Sequence, residues 1–514
     1  MSVVLNKNLA LNPSFQARTD IAVPKKEFFD LPEKVIQFGS GVLLRGFTDF
    51  FIDKANHQGI FNGRVIVVQS TAKGKGDALN HQEGLYTVCE QGLEEGQAAE
   101  RYSVLASISR AISATDDWQQ VLQCAAIPTL ELIVSNTTEV GLVYDADDSA
   151  RFTPPDSFPA KLARFLFERF QKFPEKGFVI IPTELVENNG DKLRDYVLKH
   201  SEKANFGDAF AEWLLKHNRF CNSLVDRIVP GKPDTPRLLE LQQRLGYIDN
   251  LLICAELYSL WAIEGDAMVE QVCSFREAVP SVIITKNITP YRERKLRILN
   301  GAHTISVAVA FLAEKETVLD MMNDALLGTF VERVVYQEIL PSLDIDHKED
   351  FAREVLNRFR NPFLRHKLHD ITFQYTSKFK TRVLPIIRKY YEKHGHLPTH
   401  ILFGFAAYLW FSRGVECVGS SVYGQLNAKG KVHSYLIHDD FAPFLFHQWK
   451  YIDPYNLSDV IRFVKGIAVN QDLWGMNLDG FEDFSPLVAR HLNNIIQKGI
   501  VAALQEVDRF NFQH

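Results

Sequence analysis

The 514-residue chain lacks the sequence patterns of several common protein classes. Its six cysteines are scattered, with no C-x-x-C pair and no Cys/His spacing suited to zinc. The strongest apolar run, residues 401–411, is far shorter than the ~20 residues that cross a bilayer, so a buried helix is expected there. No G-x-S-x-G, H-E-x-x-H or phosphate-binding P-loop occurs, which argues against a hydrolase. These absences favour a globular protein with reduced thiols and without a membrane span or zinc site.

Charge of one sign is also lacking, because the formal net charge is only −6. A protein with this net charge lacks the excess of positive charge that nucleic-acid binding requires. A local basic pocket for a small anion remains compatible with it. Residues 1–12 contain no basic region followed by an apolar stretch of signal-peptide length. The sequence therefore predicts a cytoplasmic protein whose partner is a small molecule, and it carries no indication of an oligomeric state.

The pattern of apolar and polar residues changes near residue 285. Before that point, apolar runs rich in β-branched residues predict strands at 35–38, 64–70, 130–135 and 178–182. Their alternation with amphipathic stretches is typical of a parallel sheet covered by helices. The sequence thus predicts an α/β domain over residues 1–285 and a mainly α-helical domain over 286–514, with a hairpin or lid inserted at 416–440.

A glycine-containing turn follows the first predicted strand. The segment Gly39-Ser40-Gly41 precedes a run with helical spacing, and the next strand follows within ~35 residues, as in dinucleotide-binding units. Gly39 would permit the turn, and Gly41 would let the backbone approach a pyrophosphate at a helix N-terminus. Arg45 would add positive charge. Leu44 replaces the third glycine of the usual motif, so an ordinary turn is also compatible.

The ends of the next two predicted strands bear on the cofactor. Gln69 replaces the acidic residue that usually accepts the ribose hydroxyls, and Lys73 and Lys75 follow it. NAD and NADP both remain open, because these lysines suit a 2′-phosphate and a solvated loop equally well. Asn136 and Thr137 follow the next strand, where open α/β sheets place ligand contacts and where helix caps also occur.

Lys295, Asn300 and His303 lie in one predicted helix over residues 291–312. At ~100° per residue, Lys295 and His303 are about 80° apart and Asn300 is about 60° further on, so all three can face one cleft. Apolar neighbours favour a neutral lysine amine, which can exchange a proton with a hydroxyl or carbonyl oxygen near neutral pH. Asn300 would donate to that oxygen, and His303 would hold it or a neighbouring hydroxyl. By spacing alone, solvated or capping roles are the commoner explanation.

Seven stretches spread over nearly the whole chain carry a family resemblance. They are IQFGSGVLLRGF (36–47), GLYT (84–87), VSNTTEVG (134–141), FCNSLVDRIVPG (220–231), PYRERKLRILNGAHT (290–304), RFRNPFLRHKL (358–368) and SKFKTRVLP (377–385). The elements V-D-R-I-x-P and K-x-x-x-x-N-x-x-H are the most specific. The chain resembles the mannitol dehydrogenase family of long-chain, polyol-specific dehydrogenases, and IIPTELVENNGDKLR (180–194) resembles its uronate branch.

The resemblance implies a metal-independent enzyme with a Rossmann-type N-terminal domain, a mostly helical C-terminal domain and an active site between them. It implies reversible hydride transfer between NAD(H), or NADP(H), and a ketouronate. At the matching positions Lys295 would be the general acid/base, Asn300 an oxyanion-hole donor and His303 a substrate contact. Lys378 would reach the distal part of the substrate.

Three departures from the family pattern concern the substrate and the proton. Leu185 stands where mannitol dehydrogenases carry a second asparagine of the oxyanion hole. Asp370 replaces an arginine eight residues before the position of Lys378. Arg292 replaces an acid three residues before Lys295, so a proton-relay role for that position is in doubt.

A uronate carries a carboxylate where a hexitol has a hydroxyl, and arginine or histidine recognises such a group well. Basic residues in segments expected near the cleft are His366, Arg358, Arg360 and Arg382. Each is individually more often structural. Asp226 and Arg227 would also sit at or near the cleft, where a structural salt bridge explains the pair equally well.

Ketouronate reduction is therefore the predicted activity. Reduction of a different ketouronate, or of fructose to mannitol, would keep the chemistry and change the sugar. A non-catalytic dinucleotide sensor is a different class, and the retention of Lys295, Asn300 and His303 argues against it.

Overall fold

The computed structural model describes residues 3–70, 74, 76–137, 141–428 and 431–510. The chain forms two compact units, residues 1–289 and residues 290–514. The predicted fold class is confirmed, because the first unit contains a parallel sheet of Rossmann type and the second is rich in helices.

The strands of the first unit are β1 (Glu33–Phe38), β2 (Arg64–Gln69), β3 (Tyr86–Glu94), β4 (Gln97–Leu105), β5 (Ile108–Ser113), β6 (Leu132–Ser135), β7 (Val179–Pro182), β8 (Arg219–Phe220), β9 (Ser223–Asp226), β10 (Ile253–Glu256), β11 (Leu260–Glu264) and β12 (Val282–Thr285). Its helices are α1 (Lys7–Ala10), α2 (Pro13–Gln16), α3 (Val42–Arg45), α4 (Thr48–His57), α5 (Gly76–His81), α6 (Trp118–Cys124), α7 (Phe158–Lys172), α8 (Asn189–Lys203), α9 (Asp208–His217), α10 (Thr235–Leu245) and α11 (Ala267–Val272), with 3-10 turns at Lys26–Asp30 and Ser274–Glu277.

Six parallel strands in the described part of this unit lie in the order β5-β2-β1-β6-β7-β8. Counted among themselves along the chain, this is the 3-2-1-4-5-6 order of dinucleotide-binding sheets. Successive side chains point to opposite faces, so Val35 and Ile36 enter separate hydrophobic cores on the two sides of the sheet. The strand order reverses between β1 and β6, which places a ligand crevice at their carboxyl ends.

The four predicted strands are confirmed to within two residues at each end, but β5 and the β3–β4 hairpin were missed. The helix predicted after Gly41 is interrupted, with α3 ending at Arg45 and α4 beginning at Thr48. Gly46 lies at the break, where a Cβ would meet Val229 Cγ1 at 2.9 Å. The carbonyl oxygen of Gly46 also accepts a hydrogen bond from Arg227 Nη1 at 2.7 Å. Contacts with distant segments therefore end α3 after a single turn.

The helices of the second unit are α12 (Thr289–Arg294), α13 (Asn300–Leu312), α14 (Val318–Asn323), α15 (Ala325–Arg333), α16 (Leu340–Ser342), α17 (Lys348–Phe359), α18 (Leu368–Ile371), α19 (Tyr375–Lys378), α20 (Leu384–His394), α21 (Thr399–Phe411), α22 (Ala442–Trp449), α23 (Leu457–Ala468), α24 (Gln471–Trp474), α25 (Phe484–Lys498) and α26 (Ile500–Phe510). Other segments are the π-helical turns Lys295–Leu299, Val334–Ile339 and Phe379–Val383, a 3-10 turn at Leu478–Gly480, and the strands β13 (Glu416–Val418), β14 (Ser421–Ala428) and β15 (Lys431–Ile437).

The core of the second unit contains α21, the apolar run seen in the sequence, which is buried along almost its whole length. It packs closely on α13 at Gly404, where a Cβ would lie 2.6 Å from the carbonyl oxygen of Ile305. The strands β13 to β15 form an antiparallel sheet. In the described ranges, no helix combines the length and apolar character needed to span a membrane.

Candidate active site

Lys295, Asn300 and His303 lie on one continuous helical segment formed by α12, a π-helical turn and α13. The backbone N–H of Asn300 donates to the carbonyl oxygen of Lys295, five residues earlier. Asn300 therefore takes the place above Lys295 that residue i+4 has in an α-helix, and His303 takes the place of residue i+7. An ideal α-helix would spread the three side chains over about 140°. The π turn instead aligns them along one face.

The π turn is held by Arg297. Its Nη1 donates to the carbonyl oxygens of Thr381 at 2.6 Å and Arg382 at 3.0 Å, while its Nε pairs with Glu293 at 3.0 Å. Thr381 and Arg382 belong to the π turn that directly follows Lys378. One buried guanidinium thus connects the π turn that begins at Lys295 with the π turn that directly follows Lys378. Glu293 is engaged in this structural pair, so it does not replace the missing acid of a proton relay.

His303 is half-buried and has a defined orientation. Its ring stacks on Phe359 with centroids 4.1 Å apart and meets the ring of His366 edge-on at 5.3 Å. Its Nε2 is buried and has no hydrogen-bond partner among the residues described. Burial, followed by neighbouring positive charges, holds the pKa of His303 well below its usual value, so the ring is neutral near pH 7.

His303 and the basic side chains around it form a basic cluster, in which Arg358, Lys378 and Arg382 carry the positive charge. Its members are His303, His366, Arg358, Lys378 and Arg382. Burial lowers the pKa of Lys378 to about 8, with a further contribution from Arg382 and an opposing one from Asp439. The Lys378 Nζ donates to the carbonyl oxygen of Ile371 at 2.8 Å. The cluster therefore concentrates positive charge in partly desolvated surroundings.

In the first unit, Gly39 and Gly41 lie where β1 ends. The φ of Gly39 is +131°, and a Cβ there would come within 2.9 Å of the carbonyl oxygen of Asn136, so the turn requires glycine. A Cβ on Gly41 would meet no described atom within 4 Å, which leaves room for a ligand against this backbone. The Asn136 Nδ2 donates to Thr183 Oγ1 at 3.0 Å. This crevice fits the pyrophosphate of a dinucleotide.

Glu184 organises the turn after β6, a function that the sequence analysis missed. Its Oε1 accepts from the backbone N–H of Thr137 at 2.8 Å and from the Thr137 hydroxyl at 3.0 Å. Its Oε2 accepts from Ser135 Oγ at 3.2 Å. Burial raises the pKa of Glu184 despite these hydrogen bonds. Leu185 follows with 60% of its surface exposed and offers no side-chain donor in place of the family asparagine.

Two arginines predicted to contact ligands have structural surroundings instead. Arg45 is 3% exposed, and its Nη1 donates to the carbonyl oxygen of Leu251 at 2.8 Å. Arg227 is also buried and pairs with Glu90 at 2.6 Å. Asp226 lies buried at the end of β9. Both guanidiniums hold segments of the first unit together, which burial makes possible and sequence spacing does not reveal.

The remaining candidates are placed as follows. The Gln69 Oε1 accepts from the backbone N–H of Gly76 at 2.7 Å, at the start of α5. Lys73 and Lys75 lie outside the described residues. Arg360 pairs with Glu332 at 2.6 Å and is thereby neutralised. Within the described ranges, no group of three or more His, Cys, Asp or Glu side chains is arranged to hold a metal ion.

Comparison with known proteins assigns the two units. The chain matches the Mannitol dehydrogenase Rossmann domain over residues 33–275 and the Mannitol dehydrogenase C-terminal domain over residues 287–449. The altronate oxidoreductase of Bacillus subtilis strain 168 is 39% identical over 480 residues, which cover 92% of this chain and 95% of that protein. That of Pectobacterium atrosepticum is 38% identical over 483 residues, with coverage of 92% and 96%.

Two solved structures share the fold. A Pseudomonas fluorescens mannitol 2-dehydrogenase, in a ternary complex with NAD and D-mannitol, has a TM-score of 0.70 at 21% identity and covers 99% of this chain and 100% of its own. A substrate-free D-sorbitol dehydrogenase has a TM-score of 0.76 at 19% identity, with coverage of 98% and 100%. Together with the sequence relatives, these matches define an oxidoreductase that acts on the CH–OH group of a polyol or sugar acid. The chain belongs to the mannitol dehydrogenase family, as its motifs predict.

Proposed function

We propose that the chain catalyses the reversible, metal-independent reduction of D-tagaturonate to D-altronate with NADH, in hexuronate catabolism. The observation that carries the proposal is the π turn that aligns Lys295, Asn300 and His303 on one helix face. The relatives named altronate oxidoreductase supply the substrate, at 39% and 38% identity over 92% of the chain. The turn at Gly39 and Gly41 supports a dinucleotide cofactor.

In the reducing direction, the Lys295 ammonium gives a proton to the ketone oxygen as the carbon accepts a hydride. When bound, NADH supplies that hydride. Asn300 donates a hydrogen bond that stabilises negative charge developing on the same oxygen. His303, neutral because its pKa is low, holds a neighbouring hydroxyl without competing for the proton. In the oxidising direction, the neutral amine of Lys295 removes the hydroxyl proton.

NAD is proposed over NADP because β2 ends at the uncharged residue Gln69. Gln69 places an uncharged amide there, and its oxygen is already engaged with the N–H of Gly76. A 2′-phosphate would need a positive partner, which this amide is not, and the lysines that follow it, Lys73 and Lys75, lie outside the described residues. Initial rates with NADH and NADPH at equal concentration test this choice, and a preference for NADPH would reverse it.

The experiment for the whole proposal is a steady-state panel of D-tagaturonate, D-fructuronate and D-fructose with the wild type and Lys295→Ala. We expect the highest kcat/KM for D-tagaturonate. Loss of general acid/base catalysis should lower kcat of the variant by roughly 10²- to 10⁴-fold while NADH binding, followed by fluorescence, changes little. Near-normal turnover of Lys295→Ala would remove the assigned role. A preference for D-fructose would refute the uronate assignment, and NADH binding without any turnover would indicate a sensor.

A further inference from the structure

Arg382 is a half-buried arginine whose guanidinium lacks an anionic partner in the described part of the chain. Its guanidinium makes no hydrogen bond or ion pair there, although its backbone carbonyl accepts from Arg297. Burial lowers the pKa of Arg382 to about 10, because the surrounding protein solvates the cation less well than water does. Arg297 and Arg360, by contrast, both pair with glutamates. A desolvated cation without a counter-ion is unfavourable unless an anion binds to it.

Two acids affect the pKa values of cluster members other than Arg382, namely Asp370 that of His366 and Asp439 that of Lys378. The charge of Asp370 raises the pKa of His366, against the larger effect of burial, but Asp370 is exposed to solvent. Asp439 acts on Lys378, yet its two carboxylate oxygens accept from the backbone N–H groups of Thr376 at 2.6 Å and Phe441 at 2.9 Å. The described groups that act on His303 are all basic. Arg382 is therefore the cluster member that is left to attract a small anion.

The dimensions of the helix connect this anion to the reacting ketone. Because of the π turn, His303 takes the place of residue i+7 from Lys295, which corresponds to ~10 Å at ~1.5 Å per residue. In a hexulosonate, four carbon–carbon bonds of ~1.5 Å separate the ketone carbon from the carboxyl carbon. That is ~5 Å in extended form, and hydrogen bonds of ~2.8 Å at both ends bring the span to ~11 Å. A sugar acid whose ketone meets Lys295 is thus long enough for its carboxylate to reach the basic neighbours of His303.

We propose that Arg382 binds the carboxylate of the substrate, assisted by Lys378 and His366, and makes the enzyme selective for sugar acids over neutral ketoses. This inference rests on the proposed function and adds the specificity-determining residue. The planar guanidinium can bind both carboxylate oxygens, which neither a lysine nor a histidine does alone. The His366 ring is in edge contact with His303, a residue of the catalytic face.

The test compares two substrates that differ only in the group at issue. D-tagatose is D-tagaturonate with a CH₂OH group in place of the carboxylate. For Arg382→Gln we expect kcat/KM for D-tagaturonate to fall by roughly 10- to 100-fold, mainly through KM, because a charge-assisted pair is lost. The value for D-tagatose should stay within about twofold. Arg382→Lys should recover part of the loss. Arg360→Gln, whose arginine already has a glutamate partner, is the matched control and should leave both values unchanged.

A second measurement covers the case in which D-tagatose reacts too slowly to be followed. The Kd of D-altronate in the presence of NADH, measured by calorimetry, should rise at least tenfold in Arg382→Gln. The Tm should not fall, because the substitution removes an uncompensated half-buried charge. Unchanged kcat/KM for D-tagaturonate, equal losses on both substrates, or an unchanged Kd would each overturn the assignment of Arg382. Absence of wild-type turnover of D-tagaturonate would instead defeat the proposed function itself.

Discussion

At the residue scale, Lys378 is the member of the basic cluster whose charge changes close to neutral pH. Its pKa is lowered to about 8 by burial and by Arg382, against the opposing effect of Asp439. Lys378 is cationic below that pH and neutral above it, so attraction of an anionic substrate weakens as pH rises. We expect KM for D-tagaturonate to increase above pH 8, and the increase to vanish in Lys378→Gln. Initial rates measured from about pH 6.5 to about pH 9.5 give KM as a function of pH. If KM still increased above pH 8 in Lys378→Gln, another group would be responsible for the titration.

Asp49, buried in α4 of the first unit, supports a prediction about stability. Its Oδ2 accepts from Gln37 Nε2 at 3.2 Å, and its Oδ1 has no partner among the residues described. Burial raises its pKa to about 7, with Gln37 and Arg45 opposing and Asp53 adding to the shift. The folded state therefore keeps this proton up to about pH 7, whereas the unfolded chain releases it near pH 3.9. Stability is lost as pH rises between these values and remains reduced above them.

Asp49→Asn removes that loss, because the amide carries no charge at any pH. We expect its Tm to exceed that of the wild type at pH 8 and the difference to disappear toward pH 4. The free energy involved is on the order of 4 kcal/mol at most, from ~1.4 kcal/mol per pKa unit. Thermal melts across this range test it. A difference that does not depend on pH would show that Asp49 is not titrating as stated.

At the element scale, the helix carrying the catalytic residues shows what periodicity reveals and what it conceals. Apolar spacing predicted a helix over residues 291–312, and the segment observed begins at Thr289 and ends at Leu312. The π turn inside it was not predictable from spacing. It is held by hydrogen bonds from Arg297 to the carbonyl oxygens of Thr381 and Arg382, more than 80 residues away. The candidate residues could be named from the sequence, but their alignment on one face is a tertiary effect.

The contact between α13 and α21 provides a prediction with an internal control. A Cβ at Gly404 would lie 2.6 Å from the backbone oxygen of Ile305, so Gly404→Ala must separate the two helices. We expect a loss of about 1–3 kcal/mol and a lower Tm, as for other overpacked cores. Gly466 lies exposed inside α23, and a Cβ there would meet no described atom within 4 Å. Gly466→Ala should therefore stabilise the protein slightly, by about 0.5–1 kcal/mol, through helix propensity. Equal effects of the two substitutions would contradict this packing.

At the scale of the whole molecule, the sequence predicted elements better than it predicted partners. Apolar runs marked the central strands because both faces of the sheet are buried. The strand β5 was missed because its sequence I-S-R-A-I-S mixes polar and apolar residues and contains no continuous apolar run. Arg45 and Arg227 looked like ligand-binding residues beside the motifs. Their guanidiniums instead bind Leu251 and Glu90, from segments remote in the chain. Spacing identifies a charged residue near a motif but not the direction of its side chain.

The net charge of −6 and the basic cluster act on an anionic substrate in opposite senses. The Debye length is ~8 Å at physiological ionic strength, so the distant negative charges are screened while the cluster still acts at contact. Added salt should then mainly weaken the cluster. We expect KM for D-tagaturonate to rise several-fold between about 0.05 and 0.5 M KCl, with KM for D-tagatose changing less than about twofold. Arg382→Gln should reduce the salt dependence. A KM that falls with salt would mean that the overall negative charge, and not the cluster, governs the encounter.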